Sequence, residues 1–171
     1  MTFKSAAAAA LLVLTLVAAG PARAQFLLDN PDWRETDVPP PPAFDTGKLV
    51  PFEVTANPGM SYGVDPSTIV ISNADSLVRY VVVATSKSGV SNAMYEALHC
   101  ATGEVKTYAR RTGTGEWQLV KNPQWRSVFE NAPSRHSVAF AKAGACDAKA
   151  PATSVRDLVA KLKNTRPYLD Q

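Results

Sequence analysis

Apolar and polar residues alternate with a period of two along most of the chain after Leu49. Such alternation is typical of β-strands that bury one face of a sheet. It predicts four strands in close succession, connected by short turns that contain glycine: 76–86, 92–100, 104–111 and 117–120. Connections of this length join antiparallel neighbours, so the four strands form an antiparallel meander. The valine run Val81–Val83 is apolar on both faces and indicates a central strand.

The spacing of apolar residues changes near the carboxyl end of the chain, where it becomes helical. Four apolar residues follow the i, i+3, i+4, i+7 spacing of an amphipathic helix: Val155, Leu158, Val159 and Leu162. Ser154 is placed to cap the amino end of this helix, with Asp157 three residues later. Lys161 and Lys163 complement the helix dipole at its carboxyl end. We expect the apolar stripe of this helix to cover one face of the sheet.

The remaining apolar segments complete the predicted α+β fold. Residues 49–56 and 67–72 predict short strands before the meander, and residues 136–146 predict a last strand after it. Residues 122–135 are polar and contain prolines, so we expect them to cross the sheet, with Trp125 and Phe129 packed on it. The fold class is therefore an antiparallel meander of about five to six strands, with a C-terminal helix on one face and one disulfide.

The amino terminus has the pattern of a secretory signal peptide. Lys4 precedes an apolar run from Ala6 to Ala19, and the small-residue sequence Ala22-Arg23-Ala24 follows, so cleavage is predicted after Ala24. The apolar run is shorter than the about 20 residues that a membrane span needs. We therefore expect an exported, periplasmic protein that does not span the membrane after the signal is removed.

The sequence after the signal divides into a lead and one domain. Residues 25–48 are acidic and rich in proline, and Pro39–Pro42 favour an extended polyproline helix, so this proline-rich lead is interpreted as a tether from which Trp33 folds back onto the domain. Residues 49–171 form a single globular domain. Removing two signal cations lowers the formal net charge from +3 to +1, which does not favour a nucleic-acid partner.

The chain contains two cysteines, Cys100 and Cys146, and both follow the signal. Thiols pair in an oxidising compartment, and two cysteines allow one intramolecular connection. In the chain-entropy model, this closure stabilises the fold by about 4 kcal/mol. The alternative is a thiol redox protein, but the chain lacks a C-x-x-C motif or another close pair.

One long stretch of the chain resembles a known family. Residues 77–109, above all "VRY" at 78–80, "SGVSNAMYEALHC" at 88–100 and "TGEVKTYA" at 102–109, are similar to the cryptic neisserial protein one-like family. Trp125 and Cys146 extend the resemblance, which covers the chain from about Trp33 to Cys146. The family consists of small exported proteins of Gram-negative bacteria. The resemblance implies a periplasmic domain without an established activity, and it provides no catalytic residues.

The two histidines, His99 and His136, are the candidate bases for catalysis. A hydrolase would also need an activated serine or cysteine, and the chain has no G-x-S-x-G elbow. A zinc site made from both histidines and Glu96 is disfavoured, because strand alternation places His99 and Glu96 on opposite faces. We predict no catalytic residue, no metal and no cofactor. A small periplasmic hydrolase that uses His136 or His99 is kept as the alternative.

One sheet face carries a candidate binding surface. Strand alternation places five cationic and aromatic side chains together: Tyr95, His99, Lys106, Tyr108 and Arg110. Such a face can hold an envelope protein, or an anionic or glycan component of the envelope, by ion pairs and ring contacts. The alternative is an ordinary solvated sheet face. The sequence thus predicts a non-enzymatic interaction module of the cell envelope.

Overall fold

The computed structural model describes residues 32–55, 59–129 and 135–164, and the predicted signal peptide lies outside these ranges. Ten β-strands and two α-helices are assigned there, with two short 3-10 helices, Thr46–Lys48 and Pro66–Thr68, and one π-helical turn. The strands of the large sheet are β1 (Val50–Phe52), β2 (Met60–Val64), β3 (Val70–Ser72), β4 (Leu77–Ser86), β5 (Ser91–His99), β6 (Glu104–Thr112), β7 (Gln118–Leu119) and β8 (Arg126–Ser127). They are followed by α1 (Arg135–Phe140), β9 (Cys146–Asp147), β10 (Ala150–Pro151) and α2 (Val155–Asn164).

Strands β1 to β8 form one sheet in which every pairing is antiparallel. The long strands β4, β5 and β6 are its centre, and β4 pairs with β5 from Leu77–His99 to Thr85–Ser91. The predicted antiparallel α+β fold is confirmed. The sheet has eight strands because β2 and β8, which were not predicted, add to it. The short strand β1 pairs with β2, β3 pairs with β4, and both β7 and β8 pair with β6.

The carboxyl-terminal helix forms as predicted, and its apolar stripe covers one side of the sheet, which we call the helix face. Leu158 and Leu162 are buried there in one core cluster with Val78, Tyr80 and Val82 of β4. The amide of Asp157 donates to Ser154 Oγ at 3.1 Å, as expected of a cap. Among the described residues, no helix has the length and apolarity needed to cross a membrane.

The prediction of a last strand over residues 136–146 is wrong. The chain forms α1 there and continues into a π-helical turn, Ala141–Ala145. This segment is rich in alanine, which favours helix and shows no clear hydrophobic period, so the apparent alternation was weak evidence. Gly144 ends the turn with φ 129°, and a Cβ atom at this position would lie 2.8 Å from the Cβ of Lys161. A residue other than glycine does not fit here.

The predicted disulfide between Cys100 and Cys146 is present and joins the end of β5 to β9, with 5.6 Å between the Cα atoms. It attaches the segment that carries α1 and α2 to the central sheet. The crossing segment is only partly as predicted. Trp125 packs against the sheet, but Phe129 is 76% exposed and Val128 takes the buried position instead.

Candidate functional site

The predicted binding surface lies on the side of the sheet opposite α2, which we call the lead face. Tyr95 and Tyr108 are part of its buried core cluster, and Lys106 pairs with Ala97 of that cluster. Arg110 does not belong to this face, so its predicted place is wrong. A β-bulge shifts the register between Tyr95 and Glu96 and makes Tyr108 an extra residue, after which Arg110 pairs with Met94. A bulge of this kind reverses the side on which the following residues point.

The proline-rich lead contacts the lead face through Trp33–Thr36, which we call the WRET segment. The Trp33 ring stacks on His99 with 4.6 Å between ring centroids and contacts Trp125 by its edge. Trp33 Nε1 donates to the backbone oxygen of Asp75 at 2.9 Å. The prediction that Trp33 folds back onto the domain is therefore confirmed.

His99 and Cys100 point to opposite sides of the sheet, as strand alternation requires of neighbouring residues: His99 belongs to the lead face and Cys100 to the core of the helix face. The candidate binding surface predicted around His99 is not open at this residue. Its side chain is only 7% exposed because Trp33 covers it. Burial lowers the pKa of His99 from its usual value, since a charged imidazole is poorly solvated under the indole.

Glu35 of the WRET segment is held by a cationic and phenolic site. Lys106 Nζ donates to its Oε2 at 2.6 Å, and the Tyr108 hydroxyl donates to its Oε1. An Arg79 nitrogen lies 3.9 Å from the same Oε1. Burial and the adjacent carboxylate raise the pKa of the Tyr108 phenol. Two of the predicted face residues, Lys106 and Tyr108, thus bind a carboxylate that belongs to the chain itself.

A buried ion pair lies under the WRET segment and was missed by the sequence reasoning. Arg79 donates to Asp75 Oδ2 at 2.6 Å, and the same oxygen accepts bonds from the Thr36 amide at 3.1 Å and hydroxyl at 2.6 Å. Burial alone raises the pKa of Asp75, but the Arg79 and Thr36 hydrogen bonds outweigh it and hold the pKa well below its usual range. The signal was a lone arginine in the apolar strand "LVRYVVV", which needs a carboxylate when buried.

The helix face contains a second buried polar group, which we call the Glu96 cluster: Glu96, His136, Tyr80, Thr107 and Ser137. His136 Nε2 lies 2.9 Å from Glu96 Oε2, and the Tyr80 hydroxyl donates to the same oxygen at 3.1 Å. Thr107 donates to Oε1 at 2.9 Å. Burial raises the pKa of Glu96. The opposing effect of His136 and the hydrogen bonds is larger, so the net shift of this pKa is downward.

The Glu96 cluster bears on the hydrolase alternative, because it joins a histidine to a carboxylate. A hydrolase needs its nucleophilic hydroxyl open to the substrate. Ser137 and Tyr80 are 0% exposed, and both hydroxyls lie within hydrogen-bond distance of Glu96. The arrangement closes a buried polar network between β5 and α1 rather than preparing a nucleophile. His99 lies on the other face of the sheet, so the described residues do not bring together the zinc ligands considered above.

Comparison with known proteins identifies a family. The model of the CNP1-like family matches residues 28–163, and the chain belongs to this family. The resemblance seen in the sequence is thereby confirmed, and the match includes the WRET segment. Searches of the curated proteins and of the solved structures gave no match to this chain.

Proposed function

We propose that the protein is an exported, non-enzymatic interaction module of the cell envelope, whose lead face recognises an extended segment of a partner protein. The observation that carries this proposal is the binding of the WRET segment. Trp33 stacks on His99, Glu35 is held by Lys106 and Tyr108, and Thr36 bonds to Asp75. Each of these side chains contacts a complementary group of the domain, as the side chains of a bound peptide do.

The chemistry of the face defines the partner segment that fits it. It needs an aromatic ring that stacks on His99 and a carboxylate two residues later that reaches Lys106. Charge-assisted hydrogen bonds of this kind are stronger than neutral ones and depend on geometry. An acidic and aromatic segment of an envelope protein is therefore favoured over a neutral glycan.

The WRET segment competes with such a partner because it belongs to the same chain. A short tether keeps a bound segment at an effective concentration of about millimolar. A partner segment must therefore bind more tightly, or bind when the lead is released. The lead then sets a threshold for binding, and loosening it should increase partner capture.

Export is supported by two features of the chain. The signal pattern ends at Ala24, and disulfides such as Cys100–Cys146 persist in oxidising compartments. Fractionation of a Gram-negative host that expresses the whole chain tests this part. We expect the periplasmic protein to have the mass of residues 25–171, and an uncleaved cytoplasmic product would contradict export.

Partner binding is tested by crosslinking in cells, followed by recovery of the tagged protein and identification of its partners. Glu35→Gln weakens the lead and should increase recovery of the partner. Lys106→Ala should decrease recovery in the Glu35→Gln background, because it removes the cation that holds the carboxylate. Arg110→Ala is the matched control, since Arg110 is an exposed cation on the same strand but on the other face. Equal recovery from all four proteins would contradict the proposal.

A further inference from the structure

A groove of about 550 Å³ lies at one end of the sheet, apart from the WRET segment. Three chain segments form it: the lead around Phe44, the turn between β4 and β5 around Val90, and the end of β6 with its following turn around Arg111. The turns are fixed against each other, since the Gly113 amide donates to Ser91 O at 2.8 Å. Volumes of this order are typical of sites for small ligands.

Arg111 is the uncompensated charge of this groove. Its guanidinium lies over the Phe44 ring, 4.9 Å from the ring centroid, and this cation–π contact helps to hold the guanidinium in place. Its Nε atom is buried without a hydrogen-bond partner, and within the described part of the chain the side chain forms no ion pair. A guanidinium held in place with unused donors is suited to bind a planar anion such as a carboxylate.

The groove also contains one carboxylate, Asp45, which does not neutralise Arg111. Its Oδ1 accepts a bond from the Gly47 amide at 2.8 Å, and its Oδ2 lies 3.3 Å from Lys48 Nζ. The amide of Gly47 and Lys48 lower the pKa of Asp45, so it stays ionised. The charge of Asp45 is therefore compensated by Gly47 and Lys48 of the lead. Arg111 remains able to attract an anionic ligand.

The walls of the groove combine hydroxyl groups with one apolar surface. Val90 is 53% exposed, and four residues with hydroxyl groups line the same space: Thr46, Ser91, Thr112 and Thr114. Hydroxyls that both donate and accept are complementary to a polyol, and an apolar side chain covers the C–H face of a sugar ring. We propose that this groove binds a monosaccharide acid, with Arg111 holding its carboxylate and the hydroxyl-bearing walls its ring.

This site is separate from the lead face, so its test does not depend on the proposed partner protein. The experiment is an NMR titration of the whole mature protein with D-glucuronate, in which the amide signals of Gly89, Ser91 and Gly113 are followed. We expect saturable shifts with a dissociation constant of about 1 mM, since small ligands gain little free energy per atom. Glucose and acetate are the matched probes that lack the carboxylate or the ring, and each should bind at least tenfold more weakly.

Arg111→Gln should weaken glucuronate binding at least tenfold, because it removes the charged fork. Arg110→Gln is the matched control on the other side of the strand, and its affinity should stay within twofold of the parent protein. Val90→Glu adds a carboxylate to the wall of the groove. Because the side chain at this position is exposed, the substitution should leave the fold intact, and it should also abolish saturable binding of glucuronate. Three results would overturn the inference: no saturation at 50 mM, about fiftyfold above the expected constant, equal binding of acetate or glucose, or equal losses in the two arginine variants.

Discussion

Replacement of Glu96 tests whether the Glu96 cluster stabilises the fold. Glu96 is 2% exposed and accepts hydrogen bonds from Tyr80 and Thr107 beside the ion pair with His136. Glu96→Ala leaves these groups buried without an acceptor. Loss of one partner of a buried ion pair costs about 3–5 kcal/mol. This is a large part of the roughly 5–15 kcal/mol that keeps a domain folded.

Glu96→Gln separates the charge from the shape of the side chain. The amide oxygen still accepts from Thr107, while the ionic attraction to His136 is lost. We expect a cost of about 1–2 kcal/mol at pH 7, close to the difference between a charged and a neutral hydrogen bond. The assay is urea unfolding followed by circular dichroism, with Glu104→Gln as the control, since Glu104 is a partly exposed glutamate on β6 and should change stability by less than about 0.5 kcal/mol.

The pH dependence follows from the lowered pKa of Glu96. The folded pKa lies below the ordinary value of 4.5, so the ionised carboxylate stabilises the fold above pH 4.5 and this stabilisation is lost as the pH falls through the folded pKa. The free-energy gap between the parent and Glu96→Gln should therefore shrink below pH 4.5. A gap that is absent at pH 7, or that grows in acid, would refute the reasoning.

Three further outcomes are expected. Asp75→Ala should lower the unfolding free energy by about 3–5 kcal/mol in urea titrations, because Arg79 is left buried without its counterion. The double variant Asp75→Ala/Arg79→Met should recover part of this loss. A loss that is not recovered would contradict the ion-pair explanation. Cys100→Ser should lower the free energy of unfolding by about 4 kcal/mol in the same urea titration. An unchanged midpoint of the unfolding transition would show that the disulfide adds no stability. Trp33→Ala should raise the pKa of His99 toward its usual value of 6.5 in an NMR titration, and an unchanged pKa would show that the indole does not cause the burial.

The sequence contained enough information for the central sheet and the carboxyl-terminal helix, because each has a clear hydrophobic period. The bulge at Tyr108 was not predictable, since an extra residue leaves the local alternation of "EVKTYARR" unchanged and only the pairing with β5 reveals it. Arg110 was therefore placed on the wrong face. Helix α1 and the π-helical turn that follows it were missed because the alanines of residues 139–145 carry little periodic signal.

The candidate site was half predictable for a different physical reason. Strand alternation correctly brought Tyr95, His99, Lys106 and Tyr108 to one face. The sequence did not show that the WRET segment covers these four residues. That covering depends on contacts between distant residues, such as Lys106 and Glu35, which are 71 positions apart. Many cations and carboxylates in a chain could pair at such a separation, and only the folded geometry selects one pair.

The central claim is that the lead face recognises an acidic and aromatic segment such as the WRET segment. The most direct measurement is fluorescence polarisation of a labelled peptide with the sequence of residues 30–37, NPDWRETD, added to the mature Trp33→Ala/Glu35→Ala protein. We predict saturable binding that weakens at least tenfold when the peptide glutamate is replaced by glutamine, or when the protein carries Lys106→Ala, as expected for a charge-assisted contact. Equal affinity for the glutamate and glutamine peptides, or no binding at millimolar concentration, would contradict the claim.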